Sequence, residues 1–366
     1  MRIVHVYKDF DPPIRGGMER HIALSCQFQR QWANVSALTC SRHWRTRRID
    51  RAGTLVTEAG EFGRFQSAPV SPLFPWHLRR ADADVCVVHM PNPTAELGWL
   101  LARPKAILIV RYHSDVVRQA AAMRVYGPLQ MQFLRKAAMI LPTSEAYLDS
   151  SPVLQAVRDR CRIQPLGILP EAFQAPDAER VAALHEAHGG PFVLFSGRHR
   201  YYKGLPYLVE AAQWIKAPVV IAGDGPERER CQALARERNV QVSFPGELDQ
   251  QDLVNHLHAC AVFAFPSVER SEAFGLSMLE AHACGKPVVA TRLGTGVEFV
   301  NQHGKTGLNA PPRDAAELAG AINMLLEDPA LAGRMGAFAK RRVETELHAA
   351  TVARREFELY KEALER

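Results

Sequence analysis

The sequence predicts an α/β protein built from two doubly wound parallel sheets, and three observations carry that expectation. Short apolar runs alternate with helix-length amphipathic stretches along most of the chain, which is the rhythm of strand–helix–strand units. The rhythm runs through twice, interrupted at Pro165–Pro176 (PLGILPEAFQAP), where the proline spacing suits a connection rather than an element. The chain has 366 residues, more than the size at which a single core keeps growing.

In the first half, Arg2–Tyr7, Val35–Thr39, Val85–His89, Ala106–Tyr112 and Met139–Pro142 read as buried parallel strands, since their apolar runs leave no polar face. Between them, Met18–Trp32, Thr94–Leu101 and Val116–Ala137 read as helices, the last bent at Pro128. The second half repeats the pattern. Its strands are Phe192–Ser196, Val219–Ala222, Val240–Phe244, Val262–Phe265 and Pro287–Thr291, and its helices Leu205–Ile215, Glu227–Arg238, Asp249–Ala259 and Leu276–Cys284. Helical segments Ala315–Glu327, Pro329–Glu346 and His348–Arg366 close the chain. The expected division is 1–168, 169–347 and a closing helix 348–366.

A hydrophobic content of 47% with 24 Gly and 24 Pro is that of an ordinary soluble α/β protein. No apolar run approaches the roughly 20 residues needed to span a bilayer. Ile3–Tyr7 is too short for a signal-peptide core and reads as a first strand. The seven cysteines, Cys26, Cys40, Cys86, Cys161, Cys231, Cys260 and Cys284, form no C-x-x-C, which argues for a reducing cytoplasm and against zinc. Net charge is +6. Arg42, Arg45, Arg47, Arg48 and Arg51 cluster around Trp44, and Arg118, Arg124, Arg135 and Lys136 form a second group. Each is a solvated surface or a patch facing anionic lipid. No nucleic-acid-binding signature accompanies the charge.

The densest chemistry lies in Pro266–Gly285, PSVERSEAFGLSMLEAHACG, between two apolar strands. Glu272 falls in a loop at a helix N-terminus and Glu280 about one turn inside the helix. Unpaired N–H groups at such a terminus seat phosphate. Two carboxylates beside an anion site are costly unless each accepts from hydroxyls. A ligand with central phosphates and polyols at both ends, a nucleotide-sugar, meets that demand. On spacing alone, such a pair is usually a complement to the helix dipole or a solvated pair.

Further residues sit after strands. Gly16 and Gly17 in KDFDPPIRGGMER allow positive φ and close approach to a ligand. His113 and Asp115 follow AILIVRY at the carboxyl end of a parallel strand, where α/β sheets place ligands. Arg198 and Lys203 in SGRHRYYKG offer a forked and a mobile cation for a diphosphate. Gly223-Asp224-Gly225-Pro226 lacks the third glycine of a dinucleotide fingerprint and reads as a structural turn. Asp9–Asp11 and Asp82–Asp84 have the D-x-D form of a metal-diphosphate motif, but Arg198 and Lys203 can neutralise phosphate, and no metal is expected.

These segments resemble the retaining family 4 glycosyltransferases of bacterial surface-polysaccharide type, over most of the chain. The carriers are the E-x7-E of Glu272 and Glu280, G-R-x4-K-G around Arg198 and Lys203, the G-x-G-P turn, YHSD around His113 and the first glycine loop. The resemblance implies the GT-B fold, two Rossmann-like domains facing a cleft, with the final helix crossing back to the first domain. It implies that Glu272, His113, Arg198 and Lys203 act in catalysis, Glu272 on the sugar ring and His113 donating near the transferred sugar. Gly16, Gly17, Phe274, Gly275, Leu276 and Glu280 would bind the donor, Glu280 through the ribose. Glu269 is a competing acid outside the spacing. Thr295 interrupts the family's Gly-Gly before Glu298, which weakens any ligand role for that residue.

The implied activity is metal-independent, cofactor-free transfer of a hexose, with mannose or a deoxyhexose preferred. The donor is an NDP-sugar, GDP-mannose first, and the acceptor a hydroxyl of a saccharide or lipid-linked saccharide, as in lipopolysaccharide assembly. The enzyme is expected in the cytoplasm, with a peripheral contact on the inner face of an anionic membrane. A nucleotide-sugar epimerase, a sugar phosphorylase, a dinucleotide-dependent oxidoreductase and a non-catalytic nucleotide-sugar binder are the competing readings.

Overall fold

A computed structural model describes residues 1–14, 16–65, 68–115 and 120–365. The chain divides into two compact units, Met1–Gly167 with Ala349–Arg366, and Ile168–His348.

The first unit is built on strands β1 (Arg2–Val6), β2 (Asn34–Cys40), β3 (Arg47–Arg51), β4 (Thr54–Ala59), β5 (Arg64–Phe65), β6 (Ala68–Pro69), β7 (Val85–Met90), β8 (Ile107–Tyr112) and β9 (Met139–Pro142). Seven of them form one sheet in the order β3-β4-β2-β1-β7-β8-β9. Every pairing is parallel except β3 with β4. All six residues of β7 are buried, as a strand covered on both faces requires. Helices α1 (Gly17–Gln29), α2 (Phe74–Arg80), α3 (Pro93–Ala102), α4 (Ala120–Leu134), α5 (Glu145–Ser150) and α6 (Pro152–Gln155) connect them. Pro128 lies inside α4. The closing helix Ala349–Glu365 belongs to this unit. Its Phe357, Tyr360 and Ala363 join Ile3, Ile22, Cys26, Val87 and Ile109 in one core.

The second unit carries α7 (Ala178–His188), β10 (Val193–Ser196), α8 (Leu205–Ala211), β11 (Val219–Ala222), α9 (Arg228–Glu237), β12 (Val242–Gly246), α10 (Gln250–Ala259), β13 (Val262–Phe265), α11 (Leu276–Ala283), β14 (Val288–Thr291), α12 (Gly296–Val300), β15 (Gly307–Ala310), α13 (Ala315–Glu327) and α14 (Pro329–Thr345). Its sheet is parallel throughout, in the order β12-β11-β10-β13-β14-β15. The chain works outward from β10 to one edge, then returns beside it with β13. The reversal between β10 and β13 opens a crevice at the strands' carboxyl ends, the place where such sheets bind ligands. In the first unit, the same reversal falls between β1 and β7.

Several elements differ from expectation. The sequence reading passed over the β3–β4 hairpin, because RRIDR is polar and lies on an exposed sheet edge. Ala52 and Gly53 turn that hairpin with φ of 49° and 82°. It also passed over β15, whose GLNA lacks an apolar run. There Asn301 donates to the Leu308 carbonyl at 2.9 Å and to Asn309 Oδ1 at 2.7 Å, which satisfies a polar strand inside the unit. The helix expected over Val116–Ala137 is described only from Ala120, and 116–119, Arg118 of the basic cluster among them, lie outside the described residues. All seven cysteines are free and buried.

Candidate active site

The loops after β10 and β13 meet because Gly204, at φ 64°, lies against the Pro266 carbonyl. A Cβ there would stand 2.0 Å from that oxygen. Val268 N–H also donates to the Tyr202 carbonyl at 2.8 Å. This contact sets Lys203 beside Glu272, with Nζ 2.6 Å from Oε2 and the side chains 12% and 10% exposed. Ser267 Oγ donates to the same carboxylate oxygen at 3.1 Å, and Thr295 Oγ1 to the Glu272 carbonyl at 2.9 Å. The Lys203 ammonium lies 4.8 Å from the Phe265 ring centre. Burial alone would lower its pKa. The charge of Glu272, then Tyr202 and Glu280, outweighs burial and raises it. Lys203 is therefore a fixed cation.

Gly275 caps α11 at φ 92°, and a Cβ would meet Met278 Cε at 2.5 Å. The helix N-terminus thus follows directly on Ala273 and Phe274, both buried. Glu280 is on the first turns of α11, within the electrostatic reach of Lys203. Arg198 is exposed and lines an open depression with Arg200, Asp224, Gly225, Pro226 and Glu247. The Gly223–Pro226 turn is tied to the Arg198 loop, His199 N–H donating to the Asp224 carbonyl at 2.8 Å. Lys203, the α11 N-terminus, Glu272 and Glu280 can hold a diphosphate with hydroxyls beside it, while Arg198 lines its own depression after β10.

The rival acids are otherwise engaged. Glu269 is 4.0 Å from Arg313. Glu298 accepts from the amides of Leu293, Gly294 and Thr295 at 2.8, 2.7 and 3.3 Å, closing a capping box on α12. Three of the D-x-D aspartates are held by arginines. Asp9 accepts from Arg64 at 2.8 and 2.9 Å and from Arg42 at 3.3 Å, and Asp82 and Asp84 both pair with Arg2.

In the first unit, Gly16 precedes α1 after β1. Its φ is −165°, extended backbone open to any residue, and Gly17 is already helical. The expectation of positive φ is therefore corrected. A Cβ on Gly16 would fall 2.2 Å from Glu19 Oε2, the far end of a side chain that can move aside. His113 follows β8, 6% exposed, stacked on His89 with ring centres 5.2 Å apart. Asp115 accepts from the Tyr112 and Ser151 hydroxyls at 2.7 and 2.8 Å. The basic cluster is partly neutralised, with Arg47 and Arg51 pairing with Glu58 at 3.0 and 2.9 Å.

Residues 16–167 match the glycosyl transferase 4-like domain, and residues 178–342 match glycosyl transferases group 1. The chain is 35% identical over 348 residues to O-antigen chain mannosyltransferase C of Escherichia coli, covering 94% of each chain. This protein belongs to the family 4 glycosyltransferases. It is also 35% identical over 346 residues to D-rhamnosyltransferase WbpZ of Pseudomonas aeruginosa, covering 93% of this chain and 91% of that one. Among solved structures, it superposes on sucrose-phosphate synthase from Thermosynechococcus elongatus with a TM-score of 0.83 at 25% identity, over 99% and 98% of the two chains. The glycosyltransferase has the GT-B fold and works in surface-polysaccharide biosynthesis.

Sequence reasoning missed Ser267 and Thr295, which hold Glu272, and also His5, His21, His89, Gln29 and Glu356 beneath His113. His5 and His89 lie inside apolar strands and read as core. Glu356 left a signal, since it shares the buried face of the closing helix with Val352, Ala353, Phe357 and Tyr360.

Proposed function

We propose that this glycosyltransferase moves a hexose, mannose or a deoxyhexose, from a GDP-sugar to a hydroxyl of a saccharide or lipid-linked saccharide, retaining the donor's anomeric configuration. The observation that carries this reading is the buried Lys203–Glu272 pair beside the α11 N-terminus, with Glu280 on the same helix. Glu280 accepts from the ribose hydroxyls. Arg198 and Lys203 take the diphosphate, and the N–H groups of Phe274, Gly275 and Leu276 position phosphate and sugar. Glu272 binds the sugar ring while holding Lys203. In the first unit, Gly16, Gly17 and His113 are assigned to substrate contact. Because negative charge grows on the leaving diphosphate, cations fixed beforehand stabilise the transition state more than the ground state. The reaction then needs no metal, and the departing phosphate accepts the proton of the attacking hydroxyl. The preference for mannose or a deoxyhexose draws support from the mannosyl- and rhamnosyltransferase relatives.

Contact with an anionic membrane from the cytoplasmic side is part of the proposal. Trp44 and Trp76 are 66% and 48% exposed, each with an arginine over its ring, Arg45 at 4.5 Å and Arg80 at 4.2 Å. Aromatic rings flanked by cations suit a headgroup layer. No described helix is long and apolar enough to cross a membrane.

A thermal-shift screen of UDP-, GDP-, ADP- and dTDP-sugars, followed by NMR of the first-formed glycoside, tests the reading. Stabilisation by GDP-sugars and retained configuration are expected. Inversion would overturn the mechanism, and selection of another base would overturn the donor. Salt-reversible sedimentation with anionic vesicles tests the membrane contact, and equal binding to neutral vesicles would refute it.

A further inference from the structure

Beneath His113, a line of hydrogen bonds runs to the closing helix, and donor–acceptor accounting gives it one direction. Glu356 is buried against Arg111, whose Nε lies 3.0 Å from Oε1, with His21 Nε2 at 3.6 Å. Burial would raise its pKa, but Arg111 and then His21 hold the carboxyl at about 2. Glu356 is thus an obligate acceptor. Gln29 Nε2 donates to its Oε2 at 3.2 Å, as does Ser25 Oγ. The Gln29 carbonyl oxygen therefore faces His5 Nε2, at 2.9 Å, and must accept from it.

His5 Nε2 then carries the proton, and a neutral imidazole has only one. His5 Nδ1 accepts, and its neighbour at 3.0 Å is His89 Nε2, which donates. His89 Nδ1 accepts in turn from His113 Nε2, also at 3.0 Å. His113 Nδ1 is left with its lone pair and no partner among the described residues. All three rings stay neutral, because burial pushes each below the ordinary histidine range. Tyr360 flanks His5, and His21 lies edge-on to His89 and His113.

We propose that Glu356, acting through Gln29, His5 and His89, positions His113 in one tautomer, with the proton on Nε2 and Nδ1 a fixed acceptor for a substrate hydroxyl. The last clause rests on the reading of His113 as a substrate contact. It reverses the expectation that His113 donates. In this relay His5, Gln29, His89 and Glu356 are positioning residues, and none touches substrate. The structural logic is that a carboxylate at one end of the line is the only member whose role cannot invert, so it sets every proton up to the strand end.

Nitrogen-15 NMR of histidine-labelled enzyme reads which ring nitrogen is protonated, with His113 assigned from the His113→Asn spectrum. In the wild-type enzyme, His5, His89 and His113 should all show Nε2–H. An Nδ1–H form at any of them would overturn the relay. Gln29→Met should cut the line, so that an Nδ1–H form of His113 appears and kcat falls while nucleoside diphosphate affinity stays unchanged. A His113 tautomer unmoved by Gln29→Met would also overturn it. A moved tautomer with unchanged kcat would keep the relay and remove His113 from the substrate site.

Discussion

Glu272→Ala should both disable and destabilise the enzyme, and the two effects have separate causes. The ammonium of Lys203 lies 2.6 Å from Glu272, with each side chain about nine-tenths buried. Removing one partner of such a pair leaves an uncompensated buried charge, at a cost of roughly 3–5 kcal/mol. For a unit of this size, about 2–4 °C of Tm accompanies each kcal/mol, so the transition of the second unit should fall by about 6–20 °C. Burial, no longer opposed by Glu272, would lower the pKa of Lys203. Adding Lys203→Met should then recover most of the lost Tm, because the stranded charge is gone. Activity should not return, since losing a preorganised contact in a water-excluded site costs about 10²–10³ in kcat. Calorimetry on the wild type, both single variants and the double variant, with transfer kinetics alongside, measures all of this. Melting of Glu272→Ala within about 2 °C of wild type, or simple additivity of the two substitutions, would rule out a stranded Lys203 charge. Glu269→Ala is the control. Its contact with Arg313 is at 4.0 Å on the surface, where ion pairs contribute about 0–1 kcal/mol, so stability and turnover should hold.

Glu280→Gln should weaken nucleoside diphosphate binding by about 1–3 kcal/mol in a calorimetric titration, and an unchanged Kd would remove Glu280 from the site. Arg198→Ala should lower kcat as well as raise donor KM, and a pure KM effect would make Arg198 a ground-state binder. Turnover should survive EDTA. Acid should destabilise the first unit in two windows. His5, His21, His89 and His113 have folded pKa values below the ordinary 6.5, so the unfolded chain binds their protons first as pH falls. Their contribution is complete above about 6.5 and is lost below it, at up to about 1.4 kcal/mol per histidine per pH unit. Glu356, held at about 2, adds a second loss only as pH falls below the ordinary carboxylate range. Tm measured between pH 7.5 and 5 should fall less steeply for His89→Asn by one proton's worth, and an unchanged slope would contradict this account.

Much of the architecture was legible because apolar runs and helical periodicity are local properties. Met139–Pro142, Val219–Ala222 and Val262–Phe265 form strands with the expected bounds, and Ala315–Glu327 forms its helix. The positions of Lys203, Glu272 and Glu280 after strand ends were also legible, since a loop must follow each strand. Other features were written between distant residues. Charge counting put Arg42, Arg47 and Arg51 on a basic patch, but it could not see Asp9, which pairs with Arg42 between loops, or Glu58, which pairs with Arg47 and Arg51 from the neighbouring strand. The polar hairpin strand Arg47–Arg51 and the asparagine-bearing Gly307–Ala310 carry no apolar signal, and only their sheet neighbours make them strands. A Gly-Gly pair suggests positive φ, but the backbone at Gly16 is extended at φ −165° and Gly17 is helical. The pairing of Lys203 with Glu272 joins loops that follow different strands, brought together where the sheet reverses. Which residue types stand at the strand ends follows from chain order alone. Which of them meet depends on the fold, because a buried donor or charge must find its partner wherever the chain brings one, as Gln29 finds Glu356 from the far end of the chain.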